Sequence, residues 1–548
     1  MFISKSNLFV LFWFLLNLLQ ITFTDLTSDE GYYWFYTTHL QWGYYDHPPL
    51  IALLVKLGTE IFPAETGVRF FNLVCLTAAV KLFLSLLPAV QRNSFTTFLL
   101  LISAPLLNYF SFIIFPDGPL LFAMMLFLVC YRKFLQNPSF KTSVFIGCSI
   151  ALMMYSKYHG LLVVAFTVIA NPKLIRSKWF WIAAAISFTL FLPHLWWQYQ
   201  NDFPTLRYHL QGRTETFSFR FLPEFFSQQI VAISPALIMT MFFARAKDVF
   251  ERTLLFIIFG TFIFFTFTAF KAFVHFHWTS IAVFPLLYFA AYFYHHEKRK
   301  KLMRYLVLPF VVIIIAARFV MLVDVGIKRV GEDYYHGREN WAAQIKSIAA
   351  GRPVFFPNNL REASLYQFYS GEMGVALYET AHKKSQYELW NYEDSLQHKN
   401  VLMLTKYPPS GSRQLKTAIG EILFISDLHD FRSYYNGVSI DISTAKRTED
   451  AVTIIGIVKN QRNTNLNFDG AVPVQLIYFV KRSDELVTTD VVKTLTAADN
   501  LLPQQEKTFQ VLVPLKELEK GNYQIVFGFR HSVLPDSYNS NAINIKVY

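Results

Sequence analysis

Charge is scarce in this 548-residue chain: 16% of its residues are Asp, Glu, Lys or Arg, where a soluble domain averages about a quarter. That argues against an ordinary cytosolic enzyme. Cysteine is scarce too. Cys75, Cys130 and Cys148 all lie in apolar runs, so neither a disulfide framework nor a Cys-based zinc site is available, and the three read as core packing. A nucleotide-binding fingerprint, internal repeats and low-complexity tracts are also missing. What the chain has is apolar and aromatic surface, with 53% hydrophobic and 18% aromatic residues.

The charge is unevenly spread. Residues 1–324 hold 25 Lys/Arg and 14 Asp/Glu, and the rest hold 25 and 24, so the first part carries +11 of the net +12. Two solvents are implied, lipid and then water. The positive excess lies between Phe/Leu runs instead of on a polar face, which makes it a topology signal and excludes nucleic acid as the expected partner.

Eleven apolar segments read as membrane spans: 7–24, 70–90, 95–115, 119–135, 142–156, 160–172, 179–197, 228–244, 253–270, 276–294 and 305–323. The first is too long for a signal-peptide core. Cytoplasmic loops concentrate Lys and Arg. With Lys5 inside, cations far outnumber acids in one set of gaps, and acids outnumber cations in the alternate set. Lys141 and Lys173 both fall in the basic set, so two short spans must separate them, turning at Ser156-Lys157-Tyr158-His159-Gly160. The basic run His295 to Lys301 then faces inner-leaflet headgroups. The expected architecture is a polytopic α-helical membrane protein of a bacterial inner membrane, N-terminus cytoplasmic. Residues 1–324 form the transmembrane domain, 325–430 a periplasmic α/β domain and 431–548 a β-sandwich-like domain. The sandwich is read from alternating runs such as Val452–Val458, Val474–Val480 and Tyr523–Phe529.

The outer gaps are long and rich in polar and aromatic residues. Loop one, about 25–67, carries Ser28-Asp29-Glu30 and Tyr45-Asp46-His47-Pro48-Pro49, and Pro116-Asp117-Gly118-Pro119 opens a later span. Each has a bland reading. Ser28 or Asp29 would cap a helix, Asp117 would cap one starting at Gly118, Asp46 to Pro49 would form a rigid turn, and a histidine beside tryptophan would anchor headgroups. Parity nevertheless gathers all of them on one face with Lys157, His159, His209, Arg213, Lys271, His275 and His277. Carboxylates surrounded by cations suit glycosyl transfer from a lipid-linked sugar phosphate: a carboxylate takes the acceptor proton while cations hold the charge growing on the departing phosphate. A transporter or flippase, for which Lys81 deep in a span would speak, and a sensor or scaffold are the alternatives.

Asp29-Glu30, Asp46-His47-Pro48-Pro49-Leu50, Pro116-Asp117-Gly118-Pro119 and Ser156-Lys157 resemble the motifs of the GT-C superfamily of polyprenyl-phosphate-dependent glycosyltransferases. The likeness is to the protein O-mannosyltransferase and aminoarabinose transferase group, and within it to bacterial members of glycosyltransferase family 39. It covers about residues 1–324 and, more loosely, Arg352 to Trp390. It implies a polyprenyl-phosphate sugar donor and inverting transfer to an envelope lipid, glycan or protein. Asp29 would be the base, with Glu30 and Asp117 as orienting or electrostatic groups. Asp46, His47, Lys157, His159, His209, Arg213, Lys271 and His275 would line the phosphate and substrate side. The chain departs from the pattern at His47, where lysine is common, and at Asp46, where glutamate is usual. Histidine, with an ordinary pKa of about 6.5, is only partly charged at neutral pH. A divalent ion on Asp46 and His47 is left open by the resemblance, and no other cofactor is expected.

Overall fold

The computed structural model describes residues 4–547 except 212–218, 297–298, 328, 332, 380–383, 410, 471–472, 483–484, 517 and 532–533, and does not describe the side chains of 209–211 and 300. It forms two compact units, Met1–Arg338 and Glu339–Tyr548.

The first unit is helical. It runs through α1 (Lys5–Phe23), α2 (Ser28–Phe35), α3 (Leu50–Thr59), α4 (Ala64–Leu86), the single turn α5 (Ala89–Arg92), α6 (Phe95–Ile102), α7 (Pro105–Phe112), α8 (Asp117–Gln136), α9 (Phe140–Ser156) and α10 (Gly160–Ala170). Then come α11 (Lys178–Gln200), α12 (Pro204–Gln211), α13 (Leu222–Ile233), α14 (Pro235–Phe243), α15 (Val249–Ala269), a 3₁₀ stretch Phe276–Ala282 leading into α16 (Val283–Phe293), α17 (Lys300–Leu306) and α18 (Leu308–Leu322). A short hairpin of β1 (Arg329–Val330) and β2 (Asp333–Tyr334) follows.

Every apolar segment read from the sequence falls on one of these helices or on a bent pair. Among the described residues seven helices are long and apolar enough to cross a bilayer, or nine if α6–α7, bent by 70°, and α13–α14, bent by 99°, each make one span. Eleven crossings therefore require α9 and α10 as well. At one end of this pair Lys157 meets Asp117 at the start of α8, and at the other Asn171 Nδ2 donates to the Tyr131 hydroxyl at 3.2 Å. The two helices thus run between the levels of α8 residues 117 and 131.

The bends have local causes. Pro105 cannot continue α6, and Asn108 Nδ2 donates to the freed carbonyls of Leu101, Ile102 and Ala104. That answers the demand for internal satisfaction inside lipid. At the second break Ser234 takes φ +78° ahead of Pro235. Loop one is more ordered than expected, because it contains both α2 and α3. Lys81 is exposed and donates to Asn7 in the first turn of α1, so it stands near a helix end and not on a path through the bundle.

In the second unit α19 (Arg338–Ala349), α20 (Leu360–Ser370), α21 (Gln386–Leu389) and α22 (Tyr392–Leu396) accompany a mixed sheet of β3 (Val354–Phe355), β4 (Gly374–Val375), β5 (Val401–Thr405), β6 (Arg413–Lys416) and β7 (Ile422–Leu428), ordered β4-β3-β5-β7-β6. The alternating runs beyond residue 431 become β8 (Val438–Arg447), β9 (Ala451–Asn460), β10 (Val474–Arg482), β11 (Glu485–Thr494), β12 (Glu506–Pro514), β13 (Gly521–His531) and β14 (Ile543–Val547), in antiparallel sheets β11-β10-β13-β14 and β12-β9-β8. Ile454, Leu476, Ile525 and Phe527 are buried in the core they share.

Glu393 on α22 joins the two sheet regions. It is fully buried, pairs with Arg462 at 3.0 Å, and accepts from the Ser433 hydroxyl and the amides of Tyr435 and Asn436. Removing one partner of a buried pair typically costs about 3–5 kcal/mol. Glu393→Ala should therefore lower the thermal unfolding midpoint of the purified protein, and an unchanged midpoint would show that Arg462 needs no counter-charge.

Candidate functional site

The site starts with the cap of α2. Thr27, one residue earlier than the sequence reading placed the cap, forms a capping box with Glu30. Glu30 is fully buried and accepts from five donors: Thr27 N and Oγ1, Arg69 Nε and Nη2 at 2.7 and 2.6 Å, and Ile114 N. It ties α2 to α4 and to the segment before α8. Ser28 is held from the other side, its N–H and hydroxyl donating to Asp333 Oδ1 at 3.0 and 2.7 Å. Asp29, half-buried, stands between these two fixed neighbours. Tyr109 of α7 lies within electrostatic reach of both acids.

Asp117 does not cap α8 with its side chain. The carboxylate, 1% exposed, accepts from Lys157 Nζ at 2.7 Å and Ser280 Oγ at 2.7 Å. Residues far apart in sequence, from the start of α8, the α9–α10 turn and the 3₁₀ stretch before α16, therefore meet at one point. A charge-assisted contact of this length is strong, and it neutralises the ammonium group that the sequence reading gave to a phosphate.

Asp46 Oδ1 accepts the Tyr36 hydroxyl at 2.5 Å, while Oδ2 lies 3.7 Å from His47 Nε2. From His47 a line of ring contacts crosses the site. His47 packs edge-on to Tyr33 at 5.5 Å, Tyr33 to Phe115 at 6.0 Å, and Phe115 to His277 at 5.4 Å. His277 stacks on His275 at 5.6 Å, and Trp278 lies 5.5 Å from both His275 and His159. His47, His159, His275 and His277 are thus strung along one belt two residues from Asp117. Lys271 is exposed in the turn after α15. His209 lies on α12 with its side chain undescribed, and Arg213 lies outside the described residues.

Sequence reasoning missed Arg69, Ser280, Tyr36 and His194. His194, fully buried in α11, bonds the Tyr158 hydroxyl at 2.7 Å and the Trp42 carbonyl at 2.6 Å, fastening loop one to the turn that carries Lys157. Its signal was a lone imidazole inside an apolar run, which marks function or an internal partner. Arg318 is a second such group, buried in α18 and donating to Asn17 Oδ1 at 2.7 Å.

A metal on Asp46 and His47 does not fit these residues. Among those described, no three His, Cys, Asp or Glu side chains gather to hold an ion, whereas Zn²⁺ takes about four ligands and Ca²⁺ about six to eight. Tyr36 already engages one Asp46 oxygen.

The helical unit brings acids, the buried Lys157 and a belt of histidines together, and it is similar to known proteins. Residues 46–197 match the family model described as dolichyl-phosphate-mannose-protein mannosyltransferase. Lipid A galacturonosyltransferase RgtD of Rhizobium johnstonii is 28% identical over 258 residues, 44% of this chain and 54% of that protein, so the match spans about half the length of the curated relative. Crystal structures of ArnT from Cupriavidus metallidurans, in the apo state and bound to undecaprenyl phosphate, share the fold with TM-scores of 0.51 and 0.52 at 14% identity, covering 76% of this chain and 97% of theirs. The chain has a multi-helix membrane unit that shares the fold of these ArnT structures, followed by a sheet-rich C-terminal region.

Lys157→Met should leave Asp117 buried without a counter-charge and cost about 3–5 kcal/mol, read as a fall in the thermal midpoint in detergent. Adding Asp117→Asn should restore part of that loss, whereas strict additivity in the double-mutant cycle would mean the two groups are not coupled.

Proposed function

We propose that this protein is an integral membrane glycosyltransferase that moves a sugar from a polyprenyl-phosphate donor to a lipid A-type envelope acceptor on the periplasmic face. The meeting of Asp117, Lys157 and Ser280 beside the histidine belt and α2 carries the reading. It brings motifs spread over residues 29–157, and Ser280 from further along the chain, to one end of the helical unit. The donor class is supported by the undecaprenyl phosphate in the ArnT structure, and the acceptor class by the galacturonosyltransferase relative.

In the proposed reaction Asp29 takes the proton of the acceptor hydroxyl as that oxygen bonds to the anomeric carbon. The bond from this carbon to the phosphate oxygen breaks, and its electron pair leaves with the polyprenyl phosphate, so the configuration inverts in one displacement. Glu30 acts only through position, since its oxygens are taken up by five donors. Lys157, its charge shared with Asp117, lies on the phosphate side with His47, His159 and His275, and Asp46 orients His47. His209, Arg213 and Lys271 remain candidates for the phosphate side. The buried Arg69 closes on Glu30 and Lys81 sits near a helix end, so neither of these two cations supplies the charged path a transporter needs.

Asp29→Asn removes a base worth roughly 10² to 10⁴ in rate at almost no change in volume. It should abolish transfer while membrane insertion persists, measured by mass spectrometry of envelope lipids for the missing sugar. Full activity would remove Asp29 from the role. Single cysteines at half-buried position 29 and exposed position 271 should both react with an impermeant maleimide from the periplasmic side, and labelling from opposite sides would dismantle the site.

A further inference from the structure

The end of the helical unit away from Asp117 is basic. Ser280 meets Asp117 just before α16, and α16 runs from there to Phe293 at the opposite end. Here α14, turned by 99° from α13, lies across the end of α16. The Tyr294 hydroxyl donates to the Ala236 carbonyl at the start of α14 at 3.1 Å, and Phe243 at its finish packs on Phe293 at 5.0 Å. Helix α17 packs on α14 as well. The three helices and their flanks bring Arg245, Lys247, Arg299, Lys301 and Arg304 to this end.

Two of these cations are held in place. The Arg299 guanidinium lies over the Phe293 ring at 3.8 Å and 5.6 Å from that of Phe243, a stacking that fixes its plane. Arg245 donates from Nη1 to the carbonyls of Phe242 and Ala244, as a cation at a helix C-terminus does. A guanidinium has five N–H donors, so both arginines keep donors in reserve, and Arg245 and Arg304 are exposed. The two described acids of this stretch are committed. Asp248 Oδ1 caps α15 by accepting the Glu251 amide at 2.7 Å, and buried Glu251 accepts the Lys247 amide at 2.8 Å and the Tyr288 hydroxyl at 3.2 Å. Among the described residues no ion pair neutralises the five cations. Beside them Phe242, Phe243 and Tyr305 expose large rings. Free phosphate would satisfy the cations and leave these rings bare, and a zwitterionic lipid would bring its own ammonium against the arginines. A lipid with a net negative phosphodiester matches both surfaces at once.

We propose that this end of the helical unit binds an anionic phospholipid, its phosphate met by Arg245, Arg299 and Arg304 and its chains lying against Phe242, Phe243 and Tyr305. The site stands apart from the transfer reaction and is tested without it. The full-length protein, stripped of lipid in a neutral detergent, would be titrated with dioleoylphosphatidylglycerol and, separately, with dioleoylphosphatidylcholine, and the bound lipid counted by native mass spectrometry. Phosphatidylglycerol should bind roughly tenfold or more tightly than phosphatidylcholine. Arg245→Gln/Arg304→Gln, which leaves Arg299 on its rings, should weaken that binding roughly tenfold or more, and Arg304→Gln alone by about fivefold. Lys399→Gln/Lys446→Gln, which removes the same charge from exposed positions of the second unit, should leave it unchanged. Equal binding of the two lipids, undiminished affinity in the arginine variants, an equal loss in the lysine control, or displacement of the lipid by inorganic phosphate would overturn the assignment. Because no sugar donor is present, such a failure leaves the transfer proposal standing, and a failed Asp29 test leaves this one standing.

Discussion

The arrangement of the membrane unit depends on a buried ion pair. Glu30 and Arg69, both fully buried, meet through two short hydrogen bonds. Such a pair is not in itself a source of stability, since desolvating both charges offsets much of the attraction. What it supplies is position. Arg69 also donates to the carbonyls of Thr24 and Asp25, and Glu30 takes the Ile114 amide. The end of α1, the start of α2, the first turns of α4 and the approach to α8 are therefore fixed against one another. Moving any one of them would strand a charge in a dry interior.

The same logic divides labour between neighbouring acids. Glu30 is saturated, Asp117 is matched by Lys157 and Ser280, and Asp46 is shared between Tyr36 and His47. Asp29, only half-buried, sits between Ser28 and Glu30, which are both anchored. A group held by its neighbours needs little reorganisation when it reacts, which is how preorganised sites lower barriers.

Much of this frame was legible in the sequence, for identifiable reasons. Hydropathy is a local property, so the spans fell on helices, and period-two alternation located β9, β10 and β13. Charge parity correctly gathered Asp117, Lys157 and the histidines of the belt at one end, because crossing a bilayer leaves a chain only two sides. Pairing was not legible. Nothing local says that Asp117 will neutralise Lys157 forty positions later, or that Arg69, at the start of an apolar run, will claim Glu30. Helix α3 was hidden because ten residues, Lys56 among them, are too few for a span, and the cap of α2 was misplaced by one residue because Thr27, Ser28 and Asp29 are all competent caps.

Helices α9 and α10 have 17 and 11 residues. At a rise of about 1.5 Å per residue they extend about 26 and about 17 Å, while the hydrocarbon layer is roughly 30 Å thick. Hydrophobic mismatch of this size is relieved by thinning the surrounding lipid. Were both helices to cross, the bilayer would have to dimple around this hairpin, whose tip carries Lys157. A lipid substrate would thus be met by a locally depressed membrane and would not need to climb out of a flat one.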